Sequence, residues 1–297
     1  MFTRRELMRT AGQAALLAAV TRDVRVAAQP PRVFCLFSKH LPELNWSDLG
    51  RVIKEAGFDG VDLTVRPGGH VLPERASDDL PRAIEALTAQ GVKVPMITTD
   101  LTSASVPVAR PLLQAAARSG VKFFKTGYWR YSSSPDVRAQ VAETGKALEG
   151  LAALARECGI EMGFHNHQAY IGAALWDIAP IMDRLDARWA GYYFDPRHAV
   201  AEGGGGAWKA ATYLVAPRLK MVAVKDCRWV KSSTGWEIEN CPLGEGQVDW
   251  AFVGKALAEA RFTGPISVHL EYDIPTGTQH TLDAATRDLA FARRFLT

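Results

Sequence analysis

From residue 33 onward, short runs rich in β-branched and aromatic residues alternate with longer segments whose apolar positions recur at helical spacing. The short runs fall at residues 33–38, 60–65, 92–98, 121–127, 160–165, 190–194, 219–225 and 266–271, which predicts eight strands. Helical patterns at 46–55, 79–90, 110–119, 135–157, 176–185, 208–215 and 250–260 lie between or after them, and a last one at 281–295 would close a ring. Gly57, Gly91, Gly120, Gly159 and Gly264 each stand between a helical pattern and the next strand, where a left-handed helix cap is expected.

Regular strand-then-helix alternation predicts a parallel sheet. No stretch rich in Pro, Gly and Ser divides the repeat, and the glycine run at 203–206 reads as a flexible loop after the sixth strand. A G-x-G-x-x-G after the first strand is missing, so an open dinucleotide-binding sheet is not indicated. The expected fold is therefore α/β, a single (β/α)8 TIM barrel over residues 29–297. The longest connection expected, residues 227–249, carries Trp229, Trp236 and the turn Pro242-Leu243-Gly244-Glu245-Gly246; loops of that length commonly carry function.

Residues 1–28 stand apart from this repeat. Arg4-Arg5 precedes the apolar run Ala14-Ala15-Leu16-Leu17-Ala18-Ala19-Val20, and Val26-Ala27-Ala28 offers small residues for cleavage. The segment resembles a twin-arginine export signal, which implies a periplasmic or secreted protein without a stable membrane anchor in its mature form. Five arginines and two acids give it the same +3 as the whole chain, leaving the remainder near neutral. The basic balance is thus no argument for a nucleic-acid partner. Cys35 and Cys158 read as buried thiols, while Cys227 and Cys241 could pair in an oxidising compartment, a bridge worth roughly 3 kcal/mol in the chain-entropy model.

In a parallel barrel, the residues that do chemistry sit at the carboxyl ends of the strands. Strand five ends His165-Asn166-His167, and the two-residue period aims both histidines at the mouth, suited to metal ligation, proton transfer or substrate binding. Strand six ends Asp195-Pro196-Arg197-His198; Asp195 suits a divalent cation, sugar hydroxyls or a capping role. Strand eight ends His269-Leu270-Glu271, and a carboxylate following an apolar strand needs a metal or a cation beside it. Lys225 could clamp substrate, act as an electrophile or pair with Asp226, and Lys125 on strand four is a parallel case. Trp129, Trp229 and Trp236 suit stacking on a sugar ring as well as ordinary packing.

At these residues the chain resembles the xylose-isomerase-like barrel superfamily of sugar isomerases, ketose epimerases, inosose dehydratases and a nuclease branch. The resemblance rests on the order His165-Asn166-His167, Asp195-x-x-His198, Val224-Lys225-Asp226, Leu243-Gly244-Glu245-Gly246-x-Val248-Asp249-Trp250 and Glu271, and it spans the whole barrel. It implies a divalent metal, manganese by preference with magnesium, cobalt or zinc as alternatives. Asp195 and Glu271 match ligand positions, His167 (or His165) joins them, and His269 is a replacement ligand, because Ala223 stands where related chains carry a histidine. His165-Asn166-His167 likewise stands where many epimerases carry a carboxylate.

The resemblance implies a small carbohydrate as partner, with His198 on the substrate side; the loop residues Trp129, Trp229 and Glu245 are further candidates there, and a homo-oligomer is one assembly left open. The expected reaction is metal-assisted proton abstraction beside a carbonyl, with Glu271, His165, His167, Lys125 and Lys225 as the candidate catalytic groups. Isomerisation or epimerisation is the first reading. Elimination by a lyase or dehydratase on the same site and a non-catalytic sugar-binding barrel are the alternatives. A nuclease is disfavoured, since its zinc cluster needs more ligands than seven histidines supply. A periplasmic address favours unphosphorylated sugars or glycosides.

Overall fold

All eight expected strands close into one ring. The computed structural model describes residues 31–297, so the export signal expected at residues 1–28 lies outside the described residues. The ring contains β1 (Phe34–Phe37), β2 (Gly60–Thr64), β3 (Lys93–Thr98), β4 (Phe123–Lys125), β5 (Glu161–His165), β6 (Ala190–Phe194), β7 (Leu219–Val224) and β10 (Ile266–Val268). Their order is β1-β10-β7-β6-β5-β4-β3-β2, with parallel pairing throughout. Two apolar layers follow from the alternation of side chains. Outward-facing residues such as Leu36, Leu63, Phe124 and Phe194 pack under the helices, whereas Met96, Phe123, Tyr193, Met221 and Ala223 fill the inside of the barrel.

Eight α-helices lie among the described residues: α1 (Trp46–Glu55), α2 (Ala76–Ala89), α3 (Ala109–Arg118), α4 (Val137–Cys158), α5 (Ala179–Met182), α6 (Pro196–Val215), α7 (Trp250–Glu259) and α8 (Thr278–Leu296). None of them is long and apolar enough to cross a membrane. Four of the five glycines expected as caps adopt left-handed backbone, with φ from 75° to 86°. Gly264 does not; Arg261 takes the left-handed turn there, and Gly264 is needed because a Cβ would lie 2.1 Å from the Lys220 carbonyl oxygen.

Three segments differ from expectation. The glycine run at 203–206 is a break inside α6, at Gly204 (φ 55°, ψ −159°), and an unforeseen helical stretch precedes it. The helix expected at 176–185 shrinks to the four residues of α5. The long connection after β7 is an antiparallel hairpin, β8 (Asp226–Ser232) with β9 (Gly235–Cys241), standing beside the ring. Cys227 faces Asn240 in that hairpin and Cys241 faces Asp226, so the two cysteines are not opposed, and both are free thiols.

Candidate active site

The mouth of the barrel encloses a cavity of about 90 Å³ whose lining includes Lys125, His165, His167, Lys225, His269 and Glu271. All six were expected at strand ends, and the ring brings them together. Arg66, Lys39, Thr98, Tyr128 and Tyr193 complete its polar wall.

Asp195 is the hub beneath this cavity. Its dihedral angles are extended and Pro196 follows as the first helical residue, a combination that starts helices. Oδ1 accepts the His198 backbone N–H at 3.0 Å, capping α6, which frees Oδ2 for the site. Around Oδ2 lie His165 Nε2 at 3.4 Å, Lys225 Nζ at 3.4 Å and His198 Nε2 at 3.7 Å. The Asn166 side chain holds the Asp195 backbone from both sides, accepting its N–H at 2.8 Å and donating to its carbonyl at 3.0 Å. Burial alone would push the Asp195 carboxyl up, but the charges of His198 and Lys225 and the hydrogen bond from His165 outweigh it and hold the group well below the usual carboxylate range.

Glu271 meets the cation that its burial demands. Lys225 Nζ donates to Oε2 at 3.0 Å, and Lys39 Nζ lies 3.4 Å from Oε1. Burial raises this carboxyl, yet Lys225, then His269 and Lys39, overcome it and keep Glu271 ionised. Lys225 thus touches both buried carboxylates, Asp195 from β6 and Glu271 from the end of β10. It does not pair with its neighbour Asp226. The Asp226 carboxylate instead accepts the backbone N–H groups of Cys227, Gly244 and Val248 at 2.9, 3.1 and 3.1 Å and the Trp250 indole N–H at 2.8 Å. Gly246 lies so close that a Cβ would approach Asp226 Oδ1 to 2.1 Å. The turn around Gly244 and Gly246 is therefore built around Asp226.

One layer below, Asp62 of β2 accepts from Thr98 (2.7 Å), Ser267 (2.9 Å) and Tyr193 (3.0 Å). Because the Tyr193 O–H donates to Asp62, the Tyr193 oxygen accepts the N–H of His269 Nε2 at 3.0 Å. His269 Nδ1 is then a bare acceptor; it is buried, lacks a hydrogen-bond partner and lies 4.0 Å from Glu271 Oε1. Burial holds the His269 ring well below the ordinary imidazole value.

Lys125 is buried with only the Thr99 carbonyl (3.4 Å) and the face of the Tyr128 ring (3.5 Å to its centre) beside its amine. Burial first, then the Arg66 charge, push that amine well below its ordinary pKa. Tyr128 OH lies 3.1 Å from His165 Nδ1, and burial brings His165 down to about 4. Lys125 and His165 thus have perturbed proton affinities in one small cavity, as is common at functional sites.

The donors that fit a metal ion are His165, Asp195 and His198. All three are buried, and one ligand atom from each lies within 4.8 Å of the others. His198 Nε2 has no hydrogen-bond partner, as expected for an atom awaiting a ligand. Two imidazoles and a carboxylate suit a divalent ion of borderline softness. Two features oppose it. Lys225 already neutralises Asp195, and His198 Nδ1 accepts from the Arg197 guanidinium at 3.1 Å, which favours the tautomer with hydrogen on Nε2. The expected ligands distribute differently. Glu271 is engaged by Lys225, His167 gives Nδ1 to the Gln168 carbonyl at 3.0 Å, and His269 belongs to the Tyr193–Asp62 layer.

The residues expected on the substrate side also separate. His198 lies under the cavity, its ring 4.1 Å from that of His167. Trp129 stacks on Phe164 and lines a different depression, on the side of α4. Trp229 is exposed on the hairpin and Glu245 is exposed in the turn, and neither lines the barrel cavity. Sequence reasoning missed Asp62, Tyr128, Tyr193 and Arg197. An aspartate in the middle of an otherwise apolar strand was the available signal for Asp62. Arg197 had none: its links to Gln168, His198 and Asn240 join three separate parts of the chain.

Comparison with known proteins agrees with this architecture. No curated protein matches the sequence significantly. Among solved structures, D-psicose 3-epimerase from Clostridium cellulolyticum H10, crystallised with D-tagatose, superposes with a TM-score of 0.69 at 13% identity, covering 89% of this chain and 99% of that one. The 3-keto-D-glucoside 4-epimerase from E. coli gives 0.65 at 15% identity, over 89% and 100%. A xylose isomerase-like TIM barrel protein from Mycobacterium smegmatis in complex with magnesium gives 0.63 at 19%, over 84% and 87%. These likenesses establish the fold, and a family-model match over residues 51–295 goes further: the chain belongs to the xylose isomerase-like TIM barrel family.

Proposed function

We propose that the protein is a sugar isomerase or epimerase that removes a proton from the carbon beside a carbonyl and returns it. The observation that carries this reading is the pairing of Glu271 with Lys225 in the same small cavity as Lys125, whose strand β4 lies four places from β10 in the eight-stranded ring. A substrate held between them has an ionised carboxylate on one side and a depressed-pKa amine on the other. That is the requirement for handing a proton across a sugar carbon.

In the resting site, Lys225 makes Glu271 a poor base. As negative charge grows on the substrate oxygen, the Lys225 ammonium can turn to it, which stabilises the enediolate and raises the proton affinity of Glu271 together. A protonated Lys125 then delivers its own proton from the opposite wall and is left neutral while Glu271 holds the abstracted one, the two being reset through solvent between turnovers; delivery to the same carbon epimerises, and delivery to its neighbour isomerises. A divalent ion would be held by His165, Asp195 and His198 and would supply polarisation of the carbonyl. The epimerases among the structural neighbours support a carbohydrate substrate. Export through residues 1–28 would favour an unphosphorylated one.

Solvent-deuterium incorporation into ketoses and keto-glycosides tests the reading. Glu271→Gln, with its fold verified by circular dichroism, should lower incorporation by about 1,000-fold, the scale of losing an essential proton-transfer group. Undiminished exchange in that variant would rule Glu271 out as the base.

A further inference from the structure

Glu271 belongs to two cavities. It lines the barrel cavity of about 90 Å³, and it also lines a groove of about 580 Å³ between the β8–β9 hairpin and the start of α8. Asn240 of β9 forms part of one wall and donates to the Glu271 carbonyl at 2.9 Å, while its own carbonyl accepts from Arg197 at 2.9 Å. The wall of the groove is thus fastened both to the residue shared by the cavities and to the helix that starts at Asp195.

Size and charge indicate what the groove takes. Small-molecule sites commonly enclose about 300–1,000 Å³. The inner cavity falls well short of that range and admits only the reacting end of a sugar, whereas the groove lies within it. Both guanidiniums of the groove are already committed, Arg228 to Glu239 and Arg287 to Asp288 and the Tyr272 hydroxyl. Asp273, His280 and Asp283 remain to meet a ligand, and Asp283 uses only Oδ1 for Gln279. Two carboxylates and an imidazole accept hydrogen bonds from hydroxyl groups, and the carboxylates repel a phosphate. Ile274 and Pro275 offer apolar atoms to the C–H face of a ring.

We propose that this groove is a second sugar subsite, so that the substrate is a glycoside whose reacting unit enters the barrel while an uncharged, hydroxylated unit lies against Asp273, His280 and Asp283. This rests on the carbohydrate reading above. The hairpin then has a role, as one wall of the site that receives the second unit.

Calorimetric titration of the full chain with D-fructose and with its glucosyl disaccharides that keep a free ketose (isomaltulose, turanose, maltulose) tests it, alongside the double variant Asp273→Ala, His280→Ala. At least one disaccharide should bind tenfold or more tightly than fructose, and the double variant should remove that advantage while leaving fructose binding unchanged. Disaccharides that bind no better than fructose, or an advantage that survives the double variant, overturn the groove proposal and leave the carbohydrate reading standing. Binding of none of these sugars overturns the carbohydrate reading and the groove proposal with it.

Discussion

The Lys225 ammonium reaches across from the end of β7 to Glu271, 3.0 Å from Oε2, and thereby places a built-in cation where two acidic groups converge. A divalent ion at Asp195 must compete with it, since Nζ is 3.4 Å from the same Oδ2 that faces His165 and His198.

Lys225→Met should therefore bind manganese at least about tenfold more tightly than the parent by calorimetry, while proton exchange falls by about 100-fold as the oxyanion partner is lost. In metal-free buffer the variant should also lose about 3 kcal/mol in urea unfolding, the scale of a buried pair stripped of one partner. Equal manganese affinity in the two proteins would show that the ammonium does not compete.

Acid should weaken the fold before its carboxylates protonate. Burial lowers His40 and His165 to about 4, against 6.5 for a free imidazole. Between those values the unfolded chain binds more protons than the folded one, so stability is full above pH 6.5 and is lost as pH falls towards 4. From pH 7 to pH 5 each imidazole should remove about 2 kcal/mol, read as a lower urea midpoint. His165→Asn should flatten part of that slope; an unchanged slope would mean that folding does not shift the proton affinity of this ring.

Lys125 should reveal itself in the pH profile. An amine that returns a proton works only when protonated, so activity should fall as pH rises through its pKa, which burial and Arg66 place well below 10.5. Lys125→Arg keeps the charge and removes the titration; about 100-fold slower exchange without that alkaline limb is expected. An alkaline limb that persists in Lys125→Arg would assign it to another group.

Asp226 is a structural residue, and its loss should be felt in stability. Asp226→Ala strands the Cys227, Gly244 and Val248 amides and the Trp250 indole, which should cost about 3 kcal/mol in urea unfolding. Asp226→Asn keeps the shape and two lone pairs and should recover part of it. A near-neutral Asp226→Ala would mean the turn around Gly246 is held by other contacts.

Much of this protein is determined by the sequence alone, because the information is local. Two-residue alternation in the strands and glycines after the helices specify the ring, and the same alternation aims Lys125, His165, Lys225, His269 and Glu271 at its mouth. Asp195 before Pro196 marks both a helix cap and a site residue, again within four positions. Only the tertiary structure decided the partners. Adjacent residues on a strand face opposite ways, so Lys225 turns inward to Glu271, 46 residues away, while Asp226 turns outward to hold the turn before α7. Tertiary closure likewise gave Glu271, His167 and His269 partners of their own (Lys225, the Gln168 carbonyl and Tyr193) beside the buried group of His165, Asp195 and His198, and left Trp229 and Glu245 outside the barrel cavity. Strand spacing fixes which way a side chain points; which oxygen or nitrogen it meets depends on the radius and closure of the ring, which no single segment encodes.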